Sequence, residues 1–276
     1  MGAWIMAGVT FREAARRKIL WTAFLAGLAF LSLFATGMHF QAKDFSARTA
    51  SPFIRYQAFS AMLQVGFYAV DLLAVIMTIL TSVDAISGEI ASGTIQAIAT
   101  KPVSRWRILI GKWVGFAGMV AAYVAIMFAG VAGVGYFIAG ALPPHALRAG
   151  MLVYLECLLV LTVTFLCGTK FSTLTNGVIV LGLHGLAFIG GWIEQIGSLT
   201  SSPRLVTVGV VSSLLMPSES IWRRASYELQ PAITRSLQFG PFATSSAPSP
   251  AMIVYASLYL LVALSIAIYH FNHRDL

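Results

Sequence analysis

The chain has 276 residues, of which 58% are hydrophobic and 10% charged, with a mean hydropathy of +0.82. A soluble domain carries about 25% charged residues, so too few polar side chains exist here to cover a water-soluble globule. Disordered chains, disulfide scaffolds and nucleic-acid-binding domains are excluded with it. The net charge of +8 reads instead as Lys and Arg collected in the cytoplasmic loops of a membrane protein.

A membrane-spanning helix needs about 20 mostly apolar residues. The expected fold class is therefore all-α, a polytopic membrane protein with six transmembrane helices in a single transmembrane domain, 1–276. Residues 1–18 come first. On a helix, Trp4, Ala7, Phe11, Ala14 and Ala15 share one face while Arg12, Glu13, Arg16 and Arg17 lie off it. Such a helix suits the membrane interface, although a simple basic flank of the first span would look similar. Spans one and two occupy 19–80, as Ile19–Met38 and Phe59–Leu80. The first is long enough to cross the bilayer and lacks a small-residue cleavage site, so it is read as a span rather than a cleaved signal.

Asp71 falls near the middle of the second span. A carboxylate at that depth costs a few kcal/mol and turns toward protein or water. Two readings stand: Asp71 lines a transport path, or it is a structural acid bonded to a neighbouring helix, with His184 a candidate partner. Residues 82–107 follow as a polar interruption. Residues 108–193 hold spans three to five: Lys112–Ile138, Met151–Cys167 and Asn176–Ile193. The third is read as one long tilted helix whose Gly130, Gly133 and Gly135 mark a bend or close packing. Glu156 lies inside the fourth span and His184 near the middle of the fifth. Cys157 and Cys167 sit about 15 Å apart on one helix, too far to form a disulfide.

The outer-face segment 194–250 contains an apolar run, Leu205–Met216, too short to span and suited to an interfacial or re-entrant element. Ser218 is a candidate N-cap for a second short helix, Glu219–Leu229, stopped by Pro231. Two short outer-face helices before the last span are expected. Residues 251–276 form span six, Ala251–His270, and a tail. With both termini inside, Arg12, Arg16, Arg17, Lys18, Lys101, Arg105, Arg107, Lys112, Lys170 and Arg274 fall on the cytoplasmic side. Lys43, Arg48, Arg55 and Arg148 fall outside, as do the arginines of the long 194–250 segment, which weigh less in setting topology.

The most informative stretch is SVDAISGEIASGTIQAIATKPVSRWRILIGK, Ser82–Lys112. Ile86, Ile90, Ala97 and Ile98 fall near one helical face. Gly93 interrupts that helix, Pro102 ends what precedes it, and Ser104 is placed to cap the third span. The pattern of Asp84, Gly88, Glu89, Gly93, Thr94, Lys101, Pro102, Val103, Ser104, Arg105, Gly111 and Lys112 resembles the signature of export-type ABC transporter permeases. These are six-span subunits driven by a separate ATPase. The stretch Phe11–Trp21 is similar to that family's elbow helix, and Pro217–Trp222 fits its architecture.

The resemblance implies that a cytoplasmic coupling helix within about residues 86–100 seats in a groove of the ATPase. Asp84, Gly88, Glu89, Gly93, Thr94, Pro102, Ser104, Arg105 and Lys112 would be the ATPase-coupling residues. It also implies two ATPase copies holding ATP and Mg, a second permease subunit, the same or related, and the plasma membrane as location. Bottom-up, Glu89 is either an ion pair fixing this helix or a solvated charge. Arg105 and Lys112 read as headgroup anchors or as partner contacts, and Asp84 as a cap or a partner of Arg105. Asp71, His184 and Glu156 are the substrate-pathway candidates.

No GxxxxGK[ST] phosphate loop occurs, so ATP hydrolysis is expected elsewhere. No GxSxG, HExxH or paired-cysteine motif appears either, so no catalytic residue, cofactor or metal is assigned to this chain. The rival readings are an ion-coupled secondary transporter, for which Asp71 and His184 are thin support, an intramembrane hydrolase, and a non-transporting membrane anchor.

Overall fold

The computed structural model describes residues 2–16, 18–47, 51–93, 104–140, 142–231 and 248–274, and every regular element among them is helical. In chain order these are α1 (Gly2–Arg16), α2 (Lys18–Ala47), α3 (Pro52–Ser82), α4 (Ser87–Ala91) and α5 (Arg105–Val134, continued by a π-helical stretch, Gly135–Ala139). Then follow α6 (Ala146–Gly168), α7 (Thr173–Leu199), α8 (Pro203–Leu215), α9 (Ser218–Leu229) and α10 (Pro250–Asn272). Six of them, α2, α3, α5, α6, α7 and α10, are long and apolar enough to cross a membrane. Each coincides with one expected span, extended at its ends.

Burial separates these six into two groups. Over their most apolar 18-residue stretches α3, α5 and α6 bury more than half of their residues, whereas α2, α7 and α10 bury 17%, 28% and 22%. The first three form the centre, and the others present Leu25, Leu33, Leu181 and Leu258 outward, as lipid-facing helices must. Phe67 of α3 meets Phe128 of α5 at 4.6 Å between ring centres, and Phe116 of α5 meets Phe165 of α6 at 5.9 Å. Backbone carbonyls are recruited as well: the Tyr154 hydroxyl on α6 donates to the carbonyl of Ala117 on α5 (3.2 Å).

Local chemistry explains the helix ends. Ser51 accepts a hydrogen bond from the Ile54 N–H and Pro52 opens α3, the preferred residue types at those positions. The third span is one helix, as expected. Its glycines divide the labour: a Cβ on Gly130 would come 2.7 Å from Leu31 of α2, a close-packing site, while Gly133 faces open space. Gly135 begins the π-helical stretch, which ends at Gly140 with φ of +65°.

The N-terminal helix α1 packs along α5. Ala7 and Thr10 are its buried contacts, and a Cβ on Gly115 would lie 2.9 Å from both the Ala7 carbonyl oxygen and Thr10 Cβ. The packed face thus passes through Ala7 and Thr10, and Phe11 is 43% exposed at its edge. The side chains of Trp4, Ala14 and Ala15 lie outside those described.

Helices α8 and α9 are bent by 106° at a short break. Helix α7 starts at the same end of the bundle as the end of α10, because Thr173 meets Ser87 and Arg274 donates to the Thr169 carbonyl there. Helices α7 and α10 each cross once, so α8 and α9 must leave from and return to the opposite end: the pair is re-entrant. Two short helices were expected on the outer face. The second instead enters the bundle, with Ser218, Glu219, Ile221, Trp222, Arg223, Ala225, Ser226 and Leu229 all buried. Pro217 occupies the capping position and Ser218 is already helical, so its hydroxyl turns to His184 instead of to its own backbone.

Backbone-to-backbone contact holds α8 on α7. A Cβ on Gly209 would come 2.7 Å from the Gly190 carbonyl oxygen and 2.3 Å from Glu194 Cβ, and one on Gly197 would come 2.8 Å from Leu205 Cβ. Gly185, on the same helix, has nothing within 4 Å. Gly209→Ala is therefore expected to destabilise by about 1–3 kcal/mol through overpacking. Gly185→Ala should be neutral or stabilising by up to about 1 kcal/mol. Thermal unfolding in detergent of both variants checks the pair, and equal behaviour would contradict this packing.

Candidate functional site

Two polar constellations stand out in an otherwise apolar bundle, one at the end where α4 lies and one at the centre. At the first, α3 runs through a turn into the five-residue helix α4. The Gly88 N–H donates to the Asp84 carbonyl (3.0 Å) across this turn, and Ile86 occupies the capping position without a side-chain bond. Asp84 thus sits two residues before the cap, not at it. Ile86 is fully buried and Ile90 packs partly on the core, which roots α4 in the bundle. Gly93, at φ of +72°, ends the helix in the left-handed conformation, and its N–H donates to the Ile90 carbonyl (3.2 Å), a glycine-dependent C-terminal stop. Thr94, Lys101, Pro102 and Val103, like Ala97 and Ile98, fall outside the described residues.

Glu89 of α4 forms an ion pair with Lys112 of α5, and the Lys112 ammonium also donates to the Ala85 carbonyl (3.3 Å). Lys112 is only 4% exposed. Of the two readings of Glu89, the ion pair is the one observed. A headgroup anchor requires an exposed ammonium, so Lys112 does not serve as one; about two turns into α5, it faces the bundle interior. Arg105 donates to the carbonyls of Asn272 (3.3 Å), the last residue of α10, and of Arg274 (2.7 Å) just beyond it. Such contacts satisfy carbonyls that a helix C-terminus leaves without intrahelical partners. Ser104 flanks α5 in extended conformation, but its side chain makes no capping bond.

Several members of this network carried no signal in the sequence. Asn176 of α7, fully buried, donates both to Val83 O (3.0 Å) and to Thr164 O (3.1 Å), tying α7 to the α3–α4 turn and to α6. Ser87 donates to Val83 O (2.8 Å) and lies 2.9 Å from the Thr173 hydroxyl. The available hint was Asn176 itself, an amide in the first turn of an apolar span.

At the centre, Asp71 of α3 and Glu156 of α6 face each other across the helix boundary, close enough for their side chains to interact. His184 was a candidate partner for Asp71; its Nδ1 lies instead 3.2 Å from the Ser218 hydroxyl. The three pathway candidates are thus split: Asp71 and Glu156 meet, and His184 serves the start of α9. Helix α9 supplies what the spans alone did not reveal. Glu219 is buried among these acids, and Arg223 grips Glu194 of α7 through two contacts of 2.7 and 2.9 Å. Gln64 of α3 donates to the Ser226 hydroxyl, and Trp222 packs edge-on against Tyr68 at 5.4 Å. Among the described residues no three His, Cys, Asp or Glu side chains are placed to hold a metal ion.

Direct comparison with curated protein sequences gives no significant match. The family model described as ABC-2 family transporter protein matches residues 4–276. Six apolar crossing helices, an all-helical bundle and a polar turn rooted between the second and third crossings agree with that match. Permeases of this kind are multi-pass membrane proteins that work with an ABC ATPase. The chain belongs to the ABC-2 transporter family and is a membrane permease of an ABC transporter.

Proposed function

We propose that the chain is the driven half of an export pump whose ATP and Mg are held by a separate ATPase. Two ATPase copies would serve a pair of permease subunits, this chain and a second one, the same or related. The end of the bundle bearing α4 then faces the cytoplasm, as do both termini, and α1 lies at the cytoplasmic membrane interface with its arginines near anionic headgroups. The short α8 and α9 pair enters from the outer side.

The observation that carries this reading is the buried Glu89–Lys112 pair. A lever transmits force only if its root does not yield, and α4 is rooted three ways: by this ion pair, by Ile86 in the core, and by Ser87 against Thr173. A push on α4 is passed to α3 through the continuous turn, to α5 through Lys112 and to α7 through Thr173. Rigid-body movement of helices is a common switching mode. Asp84, Gly88, Glu89, Gly93, Thr94, Pro102, Ser104, Arg105 and Lys112 are the coupling segment in this scheme; the first five build or flank the lever, and Arg105 and Lys112 hold the root of α5. Asp71, Glu156 and His184 are the pathway candidates in this scheme, the first two where α3 meets α6 and the third at the start of α9.

Ala91 and Ser92 are exposed at the tip of α4, and Leu142 is 61% exposed at the opposite end. In a background with Cys157 and Cys167 replaced by alanine, Ala91→Cys and Ser92→Cys should crosslink to a co-purified P-loop ATPase. Leu142→Cys should not, and should be labelled from outside intact cells. Labelling of position 91 from outside would refute the proposed orientation.

The lever's root is tested separately. Breaking a buried ion pair by removing one partner costs about 3–5 kcal/mol. Lys112→Ala or Glu89→Ala should therefore lower thermal stability strongly and uncouple ATP hydrolysis from the membrane subunit. The double variant should recover part of the stability, since no charge is left unpaired. Additive losses in the double variant would show that the two side chains do not act together.

A further inference from the structure

The centre of the bundle holds more acid than base. Asp71, Glu156 and Glu219 are 6%, 0% and 7% exposed. Arg223 stands one helical turn from Glu219, but its guanidinium already makes the two-point contact with Glu194. Arg223 thus leaves Asp71 and Glu156 without a cation of their own. The other ionisable groups facing them are Tyr68 on α3, Cys157 on α6 and Glu219 on α9, and none of these carries positive charge. Both Glu156 carboxyl oxygens and Asp71 Oδ1 are buried with no hydrogen-bond partner among the described residues.

An ionised carboxylate only accepts hydrogen bonds; a protonated one donates. As two carboxylates, Asp71 and Glu156 would face each other with no donor between them and two like charges in an apolar core, which repel strongly. One proton changes the sign of the contact, because the protonated acid donates an O–H to its neighbour. The surroundings favour so small an occupant: Val70 and Ala74 beside Asp71, and Val153, Cys157 and Val160 around Glu156, are fully buried. A metal ion would want three or more ligands, and no such group is assembled among the described residues.

We propose that Asp71 and Glu156 form a proton-binding site at the centre of the bundle, one proton being held as an O–H···O bond between the carboxyls of α3 and α6. The site is defined by its own residues and does not depend on the pumping scheme. Joined to that scheme it has a consequence, and this clause alone rests on the proposed function. Asp71 lies on the helix that runs into α4 and Glu156 on another, so sliding α3 past α6 parts the two acids and changes the number of protons bound.

The test is infrared spectroscopy of the full chain reconstituted in lipid at pH 7. The wild-type protein should show a carboxylic-acid C=O band that shifts in D₂O. Asp71→Asn and Glu156→Gln should each displace that band, since the remaining acid changes partner, and the double variant should lose it. Absence of a protonated-carboxyl band in the wild type would overturn the proposal, as would an unchanged band in the double variant. Should the amide variants fail to assemble, Glu156→Asp keeps the acid and withdraws it by one methylene. That change must move the band, and an unmoved band would overturn the assignment to this pair.

Discussion

Hydrocarbon supplies no hydrogen bonds, so a polar side chain inside a membrane bundle persists only where protein supplies a partner. This constraint organises the whole molecule. Its apolar residues specify that there are six crossings but place few demands on how those crossings meet, since lipid is as apolar as Leu. The polar residues do place such demands. Lys112 must find Glu89, Asn176 must find the carbonyls of Val83 and Thr164, and Arg223 must find Glu194. Each pairing joins two or more helices, so together they set which helices are neighbours and at what depth.

The two polar constellations differ in how completely they are satisfied. At the α4 end Glu89, Lys112, Asn176, Ser87 and Arg105 each have at least one partner on another element, although Glu89 Oε2 and Asn176 Oδ1 are buried without one among the described residues. These contacts join α3, α4, α5, α6, α7 and the end of α10. At the centre, α9 brings polar side chains into the bundle and resolves most of them, through Glu194, Gln64 and Ser218 with His184. Asp71 Oδ1 and both Glu156 carboxyl oxygens remain without donors among the described residues. The difference is one of degree: Glu89 and Asn176 are each anchored through their other polar atom, whereas neither oxygen of Glu156 has a partner. The molecule thus pairs a multiply anchored junction at one end with a centre where two acids meet without a donor.

Glycine performs the complementary task of letting backbones approach. Gly115 admits α1 onto α5, and Gly190, Gly197 and Gly209 let α8 lie directly on α7. The re-entrant pair depends on the second set, because a 13-residue helix cannot cross the bilayer alone and must be held by a neighbour from end to end.

Span number, span placement and the polar turn between the second and third crossings were legible in the sequence. Each is a property of a contiguous window: about 20 apolar residues make a helix in lipid whatever surrounds them, and Gly93 ends a helix by its own backbone freedom. Lys112, open between headgroup anchor and partner contact, pairs with Glu89, because its depth depends on where α5 starts. Asp71 was offered His184 and met Glu156, and Ser218 was offered its own backbone and met His184. The cap and stop signals around Glu219–Leu229 marked a short helix but not that it would be buried in the bundle. Partner choice follows from the rotation and neighbourhood of whole helices, which no local periodicity encodes. So the amino-acid order alone determined how often the chain crosses and where it turns, while packing decided which polar groups meet.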